Sequence, residues 1–243
     1  MRRLRSTILT YHSIDASGSV ISISPELFRR QMARLADCNV RVVPLKDIRR
    51  SPGALAITFD DAYRNFLEHA LPVLLEYRFP ATLFVVSGRA GGVNDWSQKG
   101  YQGIPRLALM DWSELAEVAA TGIELGGHGA THVDLTQLGP EQARAELRHC
   151  REEIAERTGH PPASFAYPYG SASGVVRRLA AEYYQAACGA RLRYVEPNDD
   201  PFDLPRLDAY YLKNLSSFER AIQGRAGARL AFRRMLRRLR RIL

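Results

Sequence analysis

Cysteine is scarce in this chain. Three in 243 residues, Cys38, Cys150 and Cys188, are scattered, odd in number and never spaced C-x-x-C. That excludes a disulfide framework and a thiolate metal site, and it reads as small buried hydrophobes in a reducing compartment. Long apolar runs are missing as well, and nothing approaches the ~20 residues of a membrane-spanning helix. Arg2, Arg3 and Arg5 open the chain, but His12 and Asp15 interrupt the apolar segment a secretory signal would need. A cytoplasmic protein is the expectation. Internal repeats and low-complexity stretches are absent. Acidic residues are absent from 225–243, which carries eight arginines. Removing those 8 from the 34 basic residues leaves 26, against 26 acidic ones, so the net charge of +8 belongs to the tail. The basic balance therefore says nothing about an active site, and with no base-reading motif nucleic acid is not the expected partner.

What is present is ample core material, 46% hydrophobic, arranged as short apolar strands alternating with amphipathic helices. Strands are expected at 6–11, 40–43, 55–59, 81–86, 123–125, 164–167, 186–189 and around 204–207. Helices are expected from Ser24-Pro25, over 62–77 with Pro72 kinking or ending it, over 111–120, from Gly139-Pro140 to Thr158, and over 175–184. Such alternation argues for a parallel sheet, and polar residues at each strand end favour a closed barrel over an open sheet. The expected architecture is a single α/β domain, 1–224, followed by a tail, 225–243. The irregular stretch 87–109 is long enough to be a lid or groove wall. Trp96, Tyr101 and Trp112 flank it, where they could stack on sugar rings or simply pack.

Two segments carry chemistry. Leu55-Ala-Ile-Thr-Phe runs into Asp60-Asp61, a buried strand delivering two carboxylates at its carboxyl end. Two such groups are not comfortably ionised together without a cation nearby. His128-Gly-Ala-Thr-His132 places two imidazoles four apart, among glycines that favour a turn, again after a strand. Two histidines and one carboxylate make a facial set with open positions, suited to a divalent transition metal, zinc first, with cobalt, nickel or iron as alternatives.

Thr-Phe-Asp60-Asp61, the His128-x-x-x-His132 pair and Tyr167-Pro168-Tyr169-Gly170 together resemble the first three motifs of the polysaccharide deacetylases, carbohydrate esterase family 4, over roughly 7–208. The resemblance implies a distorted (β/α)7 barrel that hydrolyses N-acetyl groups of amino sugars. It makes Asp60 the general base and Asp61, His128 and His132 the metal ligands. The Tyr169 N–H becomes an oxyanion donor, and Tyr167, Pro168 and Trp96 become substrate contacts. The chain departs from the commonest pattern in two places. No histidine follows His160, and the arginine that orients the base is replaced by Ala166. A subset similar to the poly-N-acetylglucosamine deacetylases carries Tyr-His near the start of the domain. Tyr11-His12 matches it, which makes His12 the general acid, and Arg206, expected at another strand end, is the candidate for the missing arginine. His69, His149 and His160 are read as ordinary surface or turn residues.

The expected activity is metal-dependent deacetylation of an N-acetylated sugar. An O-deacetylase or non-sugar amidase would use the same site, and a degenerate barrel acting as a scaffold would use none of it. In the tail, Leu230, Phe232, Met235, Leu236, Leu239, Ile242 and Leu243 are expected on one helical stripe opposite the arginines. That is the pattern of a helix lying on an anionic membrane surface, here the inner face.

Overall fold

The computed structural model describes residues 5–96 and 103–239, with side chains to Met235. Tyr101 and the side chains of Leu236, Leu239, Ile242 and Leu243 lie outside the described residues. The elements run β1 Thr7–Tyr11, β2 Ser13–Ile14, β3 Ser22–Ile23, α1 Pro25–Asp37, β4 Leu55–Phe59, α2 Leu71–Tyr77, β5 Ala81–Val85 and α3 Trp112–Ala120. Then come β6 Glu124–Gly127, α4 Pro140–Thr158, β7 Ser164–Ala166, α5 Gly174–Tyr183, β8 Ala186–Cys188, β9 Leu207–Asp208, α6 Leu215–Ile222 and α7 Gly227–Leu239.

Seven strands form one sheet in the order β8-β7-β6-β5-β4-β1-β9, every neighbouring pair parallel. The sheet curls until its ends meet. Leu204, just ahead of β9, donates its N–H to Ala187 and accepts from Gly189, at 2.9 Å each, so the approach to β9 seals against β8. This is the distorted seven-stranded α/β barrel expected.

Alternation along the strands separates two cores. Leu9, Tyr11, Ile57, Phe59, Leu83 and Val85 point outward and pack with Phe28, Met32, Leu74 and Leu115 of the helices. Ile8, Ala56, Phe84, Ala166, Cys188 and Leu204 form the inner layer, with Leu45 and Ile48 packed onto it. Residues of the inner parity at the carboxyl ends of the strands, His12, Asp60 and His128, therefore open into the mouth of the barrel.

Local chemistry accounts for the helix ends. Ser24 caps α1 by accepting from the Leu27 N–H, and Asp111 with Glu114 makes a full capping box at α3. Two expectations are corrected. The stretch 40–43 is not a strand: it makes a single bridge, Val42 to Leu55, because Pro44 follows at once. The helix after Asp61 does not begin at Ala62, whose φ is 54°. It opens as a π turn, Phe66–Ala70, before α2. Pro72 has no N–H to return and its ring would crowd the carbonyl four residues back, and the wider turn relieves both. The stretch 87–109 is pinned at its base by antiparallel bridges from Val93 to Ala108 and from Tyr63 to Leu109.

Candidate metal centre and active site

Asp60 and Asp61 leave β4 in different directions because the chain turns there. Asp61 adopts φ 73° and Ala62 φ 54°, a left-handed pair that frees Asp61 from the strand's alternation. His132 (φ 61°) and Tyr169 (φ 58°) share that conformation. Strain at ~1–3 kcal/mol per residue, gathered around one mouth, marks a place the rest of the fold holds by force.

The two histidines arrive on β6 and the turn beyond it. Gly126 and Gly127 are small for opposite reasons. A Cβ on Gly126 would stand 2.5 Å from the Phe84 ring inside the barrel, and one on Gly127 would stand 2.5 Å from the Tyr184 hydroxyl outside it. The turn itself is bound from two sides. Ser87 and Gly88 donate to the Gly129 and Ala130 carbonyls at 3.2 and 2.9 Å. From α4, Glu146 accepts the Ala130 N–H (2.8 Å), the Thr131 N–H (3.0 Å) and the Thr131 hydroxyl (2.7 Å).

Asp61, His128 and His132 are all buried, and one ligand atom from each lies within 4.8 Å of the others. Both imidazole Nε2 atoms stand 3.4 Å from Asp61 Oδ1. That is too long for a hydrogen bond, and it is the separation of two donors sharing one ion through bonds of about 2.0–2.1 Å at a tetrahedral angle. Asp61 Oδ1 is buried with no hydrogen-bond partner among the described residues. His128 Nδ1 donates to the Ala166 carbonyl at 2.7 Å, which turns Nε2 toward Asp61. Burial pushes the His132 imidazole down to about 3, leaving it neutral. Burial alone would raise the Asp61 carboxyl, but His128 and His132 beside it hold it well below the usual range. Burial would lower the His128 imidazole, but Asp61 and Asp60 more than offset it and raise it, so a bound cation would take the place of a proton there. The donor set converges on one point and fits a divalent cation of the zinc class.

Asp60 is differently placed. Arg206 donates to it through both terminal nitrogens, at 2.6 and 2.9 Å, and ties its own Nε to the Gly189 carbonyl at 3.1 Å. Burial would raise the Asp60 carboxyl, and Arg206, then His128 and His12, more than offset it, so it stays ionised. Arg206 is expected at a strand end. It lies one residue before β9 and reaches Asp60 from within the barrel, its guanidinium 5.7 Å from the centre of the Phe84 ring. His12 follows β1 with its Nε2 3.7 Å from Asp60 Oδ2, and its side chain keeps 25% of its surface in solvent while the ligands keep almost none. A polar cluster fixes the chain just after His12. Asn65 donates to the Ser13 hydroxyl (2.6 Å) and accepts the Ile14 N–H (3.1 Å), while Asp15 accepts from Ser13, Ser17 and Ser22.

The expected substrate contacts fare differently. Tyr167 has the outward parity of β7. It is fully buried among Phe165, Tyr184 and Leu179, and its hydroxyl donates to the Phe202 carbonyl at 2.9 Å, so its ring cannot meet a ligand in the mouth. Pro168 is buried beside the Gly129 turn. Trp96 is also buried. One face of its indole lies against His132, with centroids 4.4 Å apart, and the ring packs with Tyr63, Val86 and Leu109, so it serves the His132 imidazole as a wall. Trp112 packs against the outer core. Tyr169 sits at the rim, its ring edge-on to His132 with centroids 4.9 Å apart, its phenol pushed up to about 12 by burial and by the Asp61 charge. Sequence reasoning missed Glu146, Asn65 and Tyr63. The Tyr63 hydroxyl accepts from Asn94 at 3.2 Å, and burial together with the neighbouring Asp61 charge drives its phenol upward. Tyr63 follows Asp61 by two residues, and that spacing was the signal available.

A family model for polysaccharide deacetylases matches residues 47–187, more than half of the chain. The chain belongs to the polysaccharide deacetylase family. A Bacillus subtilis (strain 168) protein named as a member, YxkH, is 26% identical over 171 residues, covering 67% of this chain and 56% of its own length. The poly-beta-1,6-N-acetyl-D-glucosamine N-deacetylase of Staphylococcus aureus is 23% identical over 209 residues, 76% of this chain and 67% of that enzyme. The chain thus spans little more than half to two thirds of these relatives. Among solved structures, IcaB from Ammonifex degensii superimposes with a TM-score of 0.73 at 23% identity, covering 91% of this chain and 97% of that chain. A Streptococcus pyogenes deacetylase in complex with acetate gives 0.76 at 19%, covering 91% and 99%. At such identity the superpositions establish the fold.

Proposed function

We propose that this deacetylase removes N-acetyl groups from an N-acetylated amino sugar, using Asp61, His128 and His132 to hold one divalent transition metal, Asp60 as base and His12 as acid. The observation that carries this is the pair of 3.4 Å separations around a buried, unpartnered Asp61 oxygen, beside a carboxylate that is already neutralised. The chemistry such an ion supplies is Lewis acidity: polarisation of an acyl oxygen and acidification of a water to a pKa near ~7.

The protein's own groups divide the remaining work. Arg206 uses one lone pair on each Asp60 oxygen, leaving the carboxylate able to take a proton from the attacking water. As the water's oxygen bonds to the acetyl carbon, the carbonyl becomes an oxyanion, and the Tyr169 N–H is the donor proposed to hold it. The C–N bond then breaks only if nitrogen is protonated, because an amide anion is a poor leaving group. His12, partly exposed and 3.7 Å from Asp60, is placed to deliver that proton from Nε2. The products are acetate and the free amine, and the proton collected at Asp60 balances the one His12 gives up.

The test is metal analysis of the purified protein combined with acetate release from N-acetylglucosamine oligomers and from simple acetyl esters. His132→Ala is expected to lose both metal and acetate release. Asp60→Asn should keep the metal and lose turnover, and His12→Ala should keep the metal and slow turnover. Release from esters alone would make the protein an O-deacetylase, and unchanged metal content in His132→Ala would end the reading of the centre.

A further inference from the structure

Helical geometry splits the apolar residues of α7 between two faces. At about 100° per residue Leu230 stands opposite Phe232 and Met235, on the side that carries Arg233 and Arg234, so a helix seated through Leu230 leaves the other two uncovered. In the structure Leu230 alone goes inward, 4% exposed, into the cluster with Phe218, Ala221 and Ile222. Phe232 and Met235 face solvent, 58% and 51% exposed. The helix is held instead through its basic side. Arg229 bonds the Ser217 hydroxyl of α6, and the Arg233 guanidinium lies 5.2 Å from the centre of the Tyr211 ring. The barrel thus uses up part of the polar face and leaves the apolar one uncovered.

The charge around that stripe selects its occupant. No acidic residue occurs in 225–243. Where α7 begins, a cavity of about 330 Å³ is lined by Arg5, Arg193 and Arg234, with Glu196 the one acid among its lining residues. The helix runs from Arg5, ahead of β1, to Tyr211 in the turn after β9, so its far half approaches the rim of the barrel that carries the active site. We infer that α7 is a surface-docking helix that lies on anionic phospholipid, with Phe232 and Met235 entering the acyl boundary and the arginines of 225–243 meeting headgroup phosphates. Among the described residues no helix is long and apolar enough to cross a membrane. The contact is therefore interfacial, and it places the deacetylase mouth beside the lipid surface.

The experiment is co-sedimentation of the full chain with vesicles of phosphatidylcholine alone or with ~30% phosphatidylglycerol, for the native sequence and for Phe232→Ala/Met235→Ala, alongside gel filtration at two concentrations. Both side chains are exposed, so the double variant should keep its melting temperature and its acetate release from soluble oligomers. Binding is expected only to the anionic vesicles, weakened by salt and reduced about tenfold or more in the double variant. Native protein that stays in the supernatant would overturn the inference. So would a double variant that binds like the native chain, because arginines alone would then suffice and a polyanion such as nucleic acid would serve as well. A dimer dissolved by the two substitutions would also overturn it, by assigning the stripe to a second copy.

Discussion

Arg206→Met is the sharpest perturbation the structure offers. It keeps most of the side-chain volume and removes the charge and all three hydrogen bonds, two to Asp60 and one to the Gly189 carbonyl. Both partners are buried, at 6% and 3% exposure. Removing one member of a buried ion pair strands the other in a poor solvent for charge, at a cost of about 3–5 kcal/mol. That is a large part of the ~5–15 kcal/mol that holds a typical domain together. With m-values of a few kcal/mol per molar urea, the midpoint should fall by about 1 M or more. Asp60→Asn in the Arg206→Met background removes the stranded charge and should recover much of the loss, although Asp60→Asn alone destabilises.

The pH dependence fixes the cause. In the native protein Arg206 outweighs burial and holds the Asp60 carboxyl below its ordinary value of 3.8. A depressed carboxylate adds stability above its unfolded pKa and loses it as pH falls through the folded one. Without Arg206 burial dominates and the sign reverses: the folded pKa lies above the unfolded one, and stability is lost as pH rises through it. The deficit of Arg206→Met should therefore be greatest near neutrality and shrink toward pH ~4, and the base-dependent limb of acetate release should move to higher pH. Urea melts at several pH values together with a pH–rate profile measure both. A variant within ~0.5 kcal/mol of native, or a deficit flat across pH, would refute the assignment of Arg206 as the group that keeps Asp60 ionised.

Three further outcomes follow from bonds outside the centre. Glu146→Ala removes the carboxylate that accepts from Ala130 and Thr131, so metal affinity should drop about tenfold or more by competition with a chelator, while the fold persists. Asn65→Ala unties Ser13 and Ile14 next to His12, and should lower kcat with metal content and KM unchanged, whereas a loss of metal would place its effect elsewhere. Burial raises the Glu124 carboxyl despite bonds from Ser164 and Thr82, and such a group stabilises below its unfolded pKa and loses that contribution as pH rises through the folded one. Glu124→Gln should therefore gain on the native protein between pH ~5 and neutrality in thermal melts, and equal slopes would refute the raised pKa.

What could be read in the sequence was whatever declares itself within a few residues. An apolar run ending in two aspartates, or in two glycines and a histidine, marks a strand end whatever lies across the barrel. The strand positions and the pairing of Asp60-Asp61 with His128 and His132 were legible on that ground. Tyr167 was misjudged because a four-residue motif was read as a unit, although strand alternation sends Tyr167 to the outer core while the turn carries Tyr169 to the rim. The π turn at Phe66–Ala70 was hidden because one proline reads equally as a kink, a stop or a widened turn. Leu230 was misassigned because it was grouped with the other apolar residues of the tail, although at about 100° per residue it stands opposite Phe232 and Met235, among the arginines. Glu146 and Arg206 expose the deeper limit. Glu146 acts on backbone N–H groups, which every sequence has and no motif reports. Arg206 meets Asp60 across 146 residues of chain, and only the pairing of β9 and β4 on either side of β1 brings them together. A proposed base that depends on the last strand, β9, for its counter-charge should lose catalytic competence as soon as β9 leaves β1, before Asp61, His128 and His132, whose strands β4 and β6 are joined through β5, come apart.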